Sequence, residues 1–474
     1  MTNWSLLAPI LLYLIATLGL SRYAASRGAS ESSFERRYFL GGQFMSGPLL
    51  AFALVTTYTS ASSFIGGPGA AYNFGLGWVL LAMIQVPVAI LTLGVIGPKI
   101  WRLAKQHQAV TILDILEQRY HSKTLLVIAG ISLVGAFMGM VVVQFTGGAR
   151  MLSVMTGVEY HWALALFVGT VLIYTLWGGF RAVSYTDALQ GLVMVFGTVA
   201  LFIAVLNYGG GMSAITAKLH EIDPALLSHR GPNDFLSWPF LLSFWVLVGF
   251  GTLGLPHTAL RAMAVKDGRA LKQAMVLGSM VSVVVILLPH LSGVLARAIL
   301  PEIDSPDNVL PKLMITVFPP LLGGLLLAAP LAAIMSSVDS MLLQTGSTLV
   351  SDLAGRFAEL NESQQRRLSH LTMLLLVAGS GLMALNPPQM IVWLNLGAFG
   401  VLQAVFLWPI ILGLFWPKAN ASGAISAMLV GAGGFLWMLN SGFKPFGIHP
   451  IVPALAASGA AFVLFNRLGK ACDA

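Results

Sequence analysis

The sequence predicts an all-α polytopic membrane protein, on three observations. Hydrophobic residues make up 57% of the 474-residue chain and charged residues only 9%, whereas a soluble domain carries about 25% charged. The apolar residues fall in runs of bilayer length, which takes about 20 residues in a helix. The Lys and Arg residues fall between those runs and divide very unequally between alternate loops, as membrane topology requires. The short alternating segments of a membrane β-barrel do not appear. The net charge of +8 is spread over short loops and forms no basic domain, so the expected surroundings are the lipid bilayer and no nucleic acid. The single cysteine, Cys472, permits no intramolecular disulfide.

Thirteen runs qualify as transmembrane helices, at roughly 4–21, 45–71, 75–100, 124–152, 160–180, 184–210, 236–260, 271–298, 320–352, 367–386, 389–416, 420–440 and 449–467. The first, in MTNWSLLAPILLYLIATLGLSRY, has neither the basic leader nor the cleavage site of a signal peptide and reads as a retained span. With the N-terminus outside, the inner loops hold twenty of the 26 Lys and Arg residues. The outer loops hold only Arg150, Lys218, Arg230, Arg297, Lys312 and Lys444. The expected orientation is therefore N-terminus outside and C-terminus cytoplasmic, in the cell inner membrane. Two connections carry helical periodicity: TILDILEQRY, expected at the inner surface, and NVLPKLMITVF, expected as a short outer helix. Both also read as ordinary connectors.

The second span is interrupted. Gly66, Gly67, Pro68 and Gly69 follow a hydroxyl-rich stretch of Thr56, Thr57, Thr59, Ser60, Ser62 and Ser63. A helix break in hydrocarbon is tolerated only where protein or a cavity covers the freed backbone groups. The seventh span, LVGFGTLGLPH, carries Gly249, Gly251, Gly254 and Pro256. Interrupted helices at matching positions, here five spans apart, mark the binding site of a repeat-built transporter. The competing reading is that the glycines let helices pack closely and that the hydroxyls bond back to their own helices.

The ninth span places Ser336 and Ser337 three and four residues after Ala333. On a helix the two hydroxyls share a face with the Ala333 carbonyl. Neutral hard oxygens suit a small hard cation such as Na⁺. Asp339 and Ser340 continue the stripe, and Asp187 opens the sixth span; an intramembrane carboxylate is a candidate functional group. The plainer readings are a vestibule-facing carboxylate for Asp339 and a helix N-terminal charge for Asp187. No nucleophile–base pair or metal-ligand set appears, so an enzyme is not expected.

The motifs TSASSFIGGPG, WGGFRAVSYTDALQG, GLPHTALR and AAIMSSVDS resemble those of the sodium:solute symporter family. The resemblance covers nearly the whole chain. It implies a LeuT-like inverted 5+5 repeat with an extra N-terminal helix and two extra C-terminal helices. Segment 1–44 would hold the extra helix and an inner loop, 45–211 and 236–416 the two repeats, and 417–474 the last two helices. It implies Na⁺ as the coupling ion, held by the carbonyls of Thr56, Thr59 and Ala333 and the hydroxyls of Ser336 and Ser337. Asp187 matches an aspartate close to the sodium pathway. Asp339 and Ser340 stand where some relatives place a second sodium site built of small hydroxyl residues, which leaves a second ion open.

The implied function is Na⁺-coupled import of a small solute. Overall similarity points to pantothenate, with proline, a monocarboxylate or a sugar as alternatives. Tyr58, Ser60, Ser62, Ser63, Gln85, Gln144 and Trp245 are the candidate solute contacts. Such side chains match a solute with one carboxylate, an amide and two hydroxyls. Gln85 and Gln144 also read as helix–helix links, Trp245 as packing, and Arg150 as either a solute contact or an outer-end charge. A sensory membrane module would need a cytoplasmic extension beyond Ala474, and a channel would need a filter or charged ring; neither is seen in the sequence.

Overall fold

The computed structural model describes residues 4–26, 34–356, 358–386 and 390–469. Arg27, Lys470 and Cys472 lie outside the described residues. The described elements are helices, joined by short turns and one isolated bridge between Met45 and Val265. Eight helices are long and apolar enough to cross a membrane, or ten if each of two bent pairs is one span.

Helix α1 spans Trp4–Ser26. The second span divides into α2, Gly47–Tyr58, and α3, Gly67–Phe74, joined through a π turn at Ser62–Gly66. Helix α4, Leu76–His107, extends beyond the expected third span. The TILDILEQRY segment forms α5, Ile112–Tyr120. Its N-terminus is a capping box, in which Thr111 Oγ1 accepts the Asp114 amide and the Asp114 carboxylate accepts the Thr111 amide. Helix α6 is Lys123–Thr156, closed by Gly157 in the left-handed conformation.

The expected fifth and sixth spans run together as α7, Tyr160–Tyr208, broken only at Gly179, where φ is 60°. That conformation strains any residue with a Cβ, and the Tyr38 carbonyl packs against this glycine. Next come α8, Met212–Ile222, and a second bent pair: α9, Trp238–Gly254, and α10, Pro256–Met263. Helix α11 is Gly268–Ile299, and NVLPKLMITVF supplies α12, Val309–Val317. The remaining helices are α13, Pro320–Ala354, α14, Glu362–Met383, α15, Ile391–Phe415, α16, Ala421–Ser441, and α17, Ile451–Leu468.

Helix α13 is the axis of the molecule. Protein covers 78% of its apolar window, against 39–56% for the other long spans. It packs on α2, α6 and α7, while α11 packs on α2 and α3. The hydroxyl stripe of α13 therefore faces neighbouring helices and no lipid, and α2 is the neighbour that breaks beside it.

Candidate ion and solute site

Helix α2 ends at Tyr58 because Thr59 leaves helical geometry, with φ −83° and ψ 103°. The chain then bends by 67° into the segment Ser62–Phe74. The last turn of a helix leaves its carbonyls without intrahelical partners. Here those carbonyls point at α13. Ser336 Oγ lies 3.0 Å from the Thr56 carbonyl and 3.1 Å from that of Ala333. Ser337 Oγ lies 3.1 Å from the Ala333 carbonyl, 3.3 Å from Thr59, 3.4 Å from Thr57 and 3.5 Å from Thr56.

All these residues are buried. The cluster is rich in lone pairs and poor in protons: two hydroxyl hydrogens face four carbonyls. A hydroxyl donates one hydrogen at a time, so the surplus acceptors are best satisfied by a cation. The oxygens are hard and uncharged, which fits Na⁺. All five groups that the resemblance implies as ligands meet here, and the Thr57 carbonyl joins them.

A narrow cavity of about 40 Å³ lies beside this cluster. Tyr58, Ser62, Ser63 and Gln85 line it, together with Trp78, Phe244, His290 and Asn395. The mix of aromatic walls and a few polar groups is typical of a small-molecule site. Trp78 meets Trp393 edge-on at 5.5 Å and Phe244 at 6.2 Å. Asn395 Nδ2 donates to Ser62 Oγ at 2.8 Å. His290 Nδ1 faces the Ile286 carbonyl at 2.6 Å, so that nitrogen carries the proton. Tyr58 hydrogen-bonds Ser282. His290 and Asn395 are not among the residues the sequence singles out; each is a strongly polar side chain in a mostly apolar span, and that is the available signal.

Next to the ion cluster lies a buried ion pair that the sequence does not announce. Arg261, on α10, is 1% exposed. Its Nη2 donates to Asp187 Oδ2 at 2.5 Å and to Ser340 Oγ at 2.6 Å. Nη1 donates to Ser184 Oγ at 3.0 Å and Nε to Thr57 Oγ1 at 3.1 Å. The guanidinium also lies 4.9 Å from the Phe180 ring. The sequence reads Arg261 as one of the inner-loop charges; the fold makes it a cation buried among helices.

Several expectations are corrected. The break of the second span falls at Thr59–Ser60, upstream of Gly66–Gly69. Those glycines are close-approach positions: a Cβ on Gly67 would strike the His290 ring, and one on Gly69 the Pro306 carbonyl. Pro68 sits in the first turn of α3, where it needs no amide hydrogen. In the seventh span the break does involve the glycines. Gly249 is non-helical, Leu255 is extended, Pro256 starts α10, and the bend is 46°. Gly251 and Gly254 pack against Gln403 and Leu407.

Gln144 is fully buried and does not line the cavity. Its Oε1 accepts the Ala61 amide at 2.7 Å, an amide that the break of α2 exposes and that only a side chain can satisfy. Ser60 likewise turns inward, bonding Ser62 Oγ at 2.9 Å and accepting the Ser62 amide at 3.3 Å. Trp245 is 57% exposed, because the π turn at Trp245–Gly249 leaves its neighbours Phe244 and Val248 facing the cavity. Asp339 and Ser340 diverge: Asp339 accepts from Thr175 Oγ1 at 2.8 Å on α7, while Ser340 meets Arg261. Asp187 is ion-paired, so it is more than a helix N-terminal charge. Arg150 pairs with Asp307, away from the cavity. Burial raises the Asp307 carboxyl to about 6, against the pull of Arg150 and of the Ile391 amide.

Comparison with known proteins places this geometry. Residues 38–431 match the sodium:solute symporter family. The chain is similar to the sodium/pantothenate symporter of Haemophilus influenzae, at 46% identity over 99% of this chain and 97% of that protein. It is similar to the sodium/pantothenate symporter of Escherichia coli at 47% identity, over 97% of this chain and 96% of that protein. In fold it resembles a Na⁺-coupled sialic acid symporter in a substrate-bound, outward-open state, with a TM-score of 0.82 at 20% identity over 99% of both chains. The chain belongs to the sodium:solute symporter family.

Proposed function

We propose that the protein imports pantothenate by Na⁺ symport across the inner membrane, through alternating access. One observation carries the reading. The broken end of α2 presents carbonyls to Ser336 and Ser337 on one side and Tyr58, Ser62 and Ser63 to a polar-and-aromatic cavity on the other. An ion and a solute bound there would share a single element, which is what coupling requires. The near-full-length similarity to two sodium/pantothenate symporters supports pantothenate as the solute.

In this reading thirteen helices cross the membrane. Spans two to six and seven to eleven form inverted repeats, and the two bent spans are counterparts. Na⁺ bridges α2 and α13 and holds the arrangement open to the outside. The solute carboxylate and hydroxyls are met by Ser62, Ser63, Gln85, Asn395 and the His290 imidazole, and the pantothenate chain lies against Trp78 and Phe244. Closure of the aromatic layer over the cavity then precedes opening on the cytoplasmic side. Loss of Na⁺ removes the bridge and releases the solute.

The test is uptake of labelled pantothenate into proteoliposomes under an inward Na⁺ gradient, against an equal K⁺ gradient. Uptake that needs Na⁺, and needs a higher Na⁺ concentration in Ser337→Ala, supports the proposal. Uptake of another solute with no pantothenate under any gradient overturns the substrate while leaving Na⁺ symport standing.

A further inference from the structure

Hydrogen atoms are unevenly distributed around the cavity. On α11, His290 Nδ1 gives its hydrogen to the Ile286 carbonyl at 2.6 Å. No carboxylate pairs with the ring among the described residues, and an uncompensated charge is costly inside a membrane. The imidazole is therefore neutral, and its Nε2 can only accept. Nε2 has no hydrogen-bond partner among the described residues. It lies on the cavity wall, so close to Gly67 that a Cβ there would strike it. On α15, Asn395 gives an Nδ2 hydrogen to Ser62 Oγ at 2.8 Å, and its Oδ1 is buried without a partner. Tyr58 also lacks a free hydrogen. Ser282 commits its one hydrogen to the Gly278 carbonyl at 2.7 Å, so Tyr58 donates to Ser282 and has none left for a solute.

The free donors lie elsewhere. Gln85 on α4 and Ser63 in the turn after α2 line the cavity, and neither side chain is hydrogen-bonded within the described residues. Gln85 offers two N–H hydrogens and Ser63 one O–H. We propose that the cavity is polarised: His290 Nε2 and Asn395 Oδ1 receive the hydroxyl hydrogens of the solute, and its carboxylate lies toward Gln85 and Ser63. The inference rests on the pantothenate-symport reading and adds the orientation and selectivity of the bound solute. A carboxylate only accepts. Set against His290 it would meet lone pairs, and both groups would be left unpaired, which costs more than a formed hydrogen bond returns. The cavity is narrow, so its walls part to admit a solute, and hydrogen direction then selects which end goes where. The class admitted is a small acid with hydroxyls remote from its carboxylate. A plain monocarboxylate of the same length is rejected although the ion cluster is intact.

The experiment crosses solutes with variants. Uptake of labelled pantothenate into proteoliposomes is measured under a Na⁺ gradient, with two competitors: pantothenate without its two hydroxyls, and the alcohol in which CH₂OH replaces its carboxylate. His290→Leu should weaken pantothenate and the alcohol about tenfold and leave the dehydroxylated acid within about twofold of its wild-type inhibition constant. Gln85→Leu should do the reverse, weakening the two acids and sparing the alcohol. A side chain that only supports the fold would weaken all three solutes alike.

Equal losses for all three solutes in His290→Leu overturn the inference, as does a loss confined to the two acids. If His290→Leu does not fold, Asn395→Ala decides by the same pattern. Normal pantothenate uptake by the wild type with the wrong pattern in the variants overturns this inference alone. A wild type that takes up no pantothenate overturns the substrate reading, and this inference with it.

Discussion

Ser337 is the residue on which the ion cluster turns. It is the only described side chain within 3.5 Å of the carbonyls of Thr56, Thr57, Thr59 and Ala333 together. A hydrogen-bonding group lost from a charged partner is worth about 1.5–3 kcal/mol, so Ser337→Ala should weaken Na⁺ binding at least about tenfold. Titrating uptake with Na⁺ at saturating solute reads this directly; an unchanged Na⁺ midpoint would remove Ser337 from the ligand set. Gln144 carries a different expectation. Gln144→Leu leaves the Ala61 amide without its acceptor and should destabilise the fold by about 1–3 kcal/mol. Thermal unfolding in detergent measures that loss. A variant of normal stability that has lost solute affinity would return Gln144 to the solute site.

At the scale of elements, function rests on where helices are allowed to stop. The α2 break is stabilised at both ends by groups from other helices: Ser336 and Ser337 on its carbonyls, Gln144 on its first free amide. The α7 break needs only Gly179, whose φ of 60° and ψ of −178° lie in a region essentially reserved for glycine and cost a residue with a Cβ roughly 1–3 kcal/mol. Gly179→Ala should therefore lower the melting temperature. Gly135→Ala on α6 is the control, because nothing lies within 4 Å of its Cβ position. In that helix interior the alanine should stabilise by up to about 1 kcal/mol. If both variants melt alike, the Gly179 conformation is not what the helix needs.

The whole molecule is a layer of helices around α13, with its polar groups gathered where lipid cannot reach. The orientation proposed from loop charge has a direct check. In a Cys472→Ser background, Lys444→Cys should react with a membrane-impermeant thiol reagent applied to intact cells. Lys272→Cys should react only after permeabilisation. The reverse pattern would invert the topology and, with it, the direction assigned to the two gates.

The sequence alone determined the class and the approximate course of the helices, and it placed the Ser336 and Ser337 hydroxyls on one face with the Ala333 carbonyl. These follow from short-range rules: a bilayer demands long apolar runs, and a helix puts residues three and four apart on one face. Tertiary structure decided what depends on partners far along the chain. The second span stops at Thr59 rather than Gly66 because Gln144, 83 residues away, satisfies the Ala61 amide. Trp245 and Phe244 are neighbours in sequence, yet a π turn and the packing around it send one outward and one into the cavity. Arg261 reads as an ordinary basic residue at the end of a span. Asp187, 74 residues earlier, makes it an internal cation, since a charge can stay buried in a membrane only where the fold brings its counter-charge alongside.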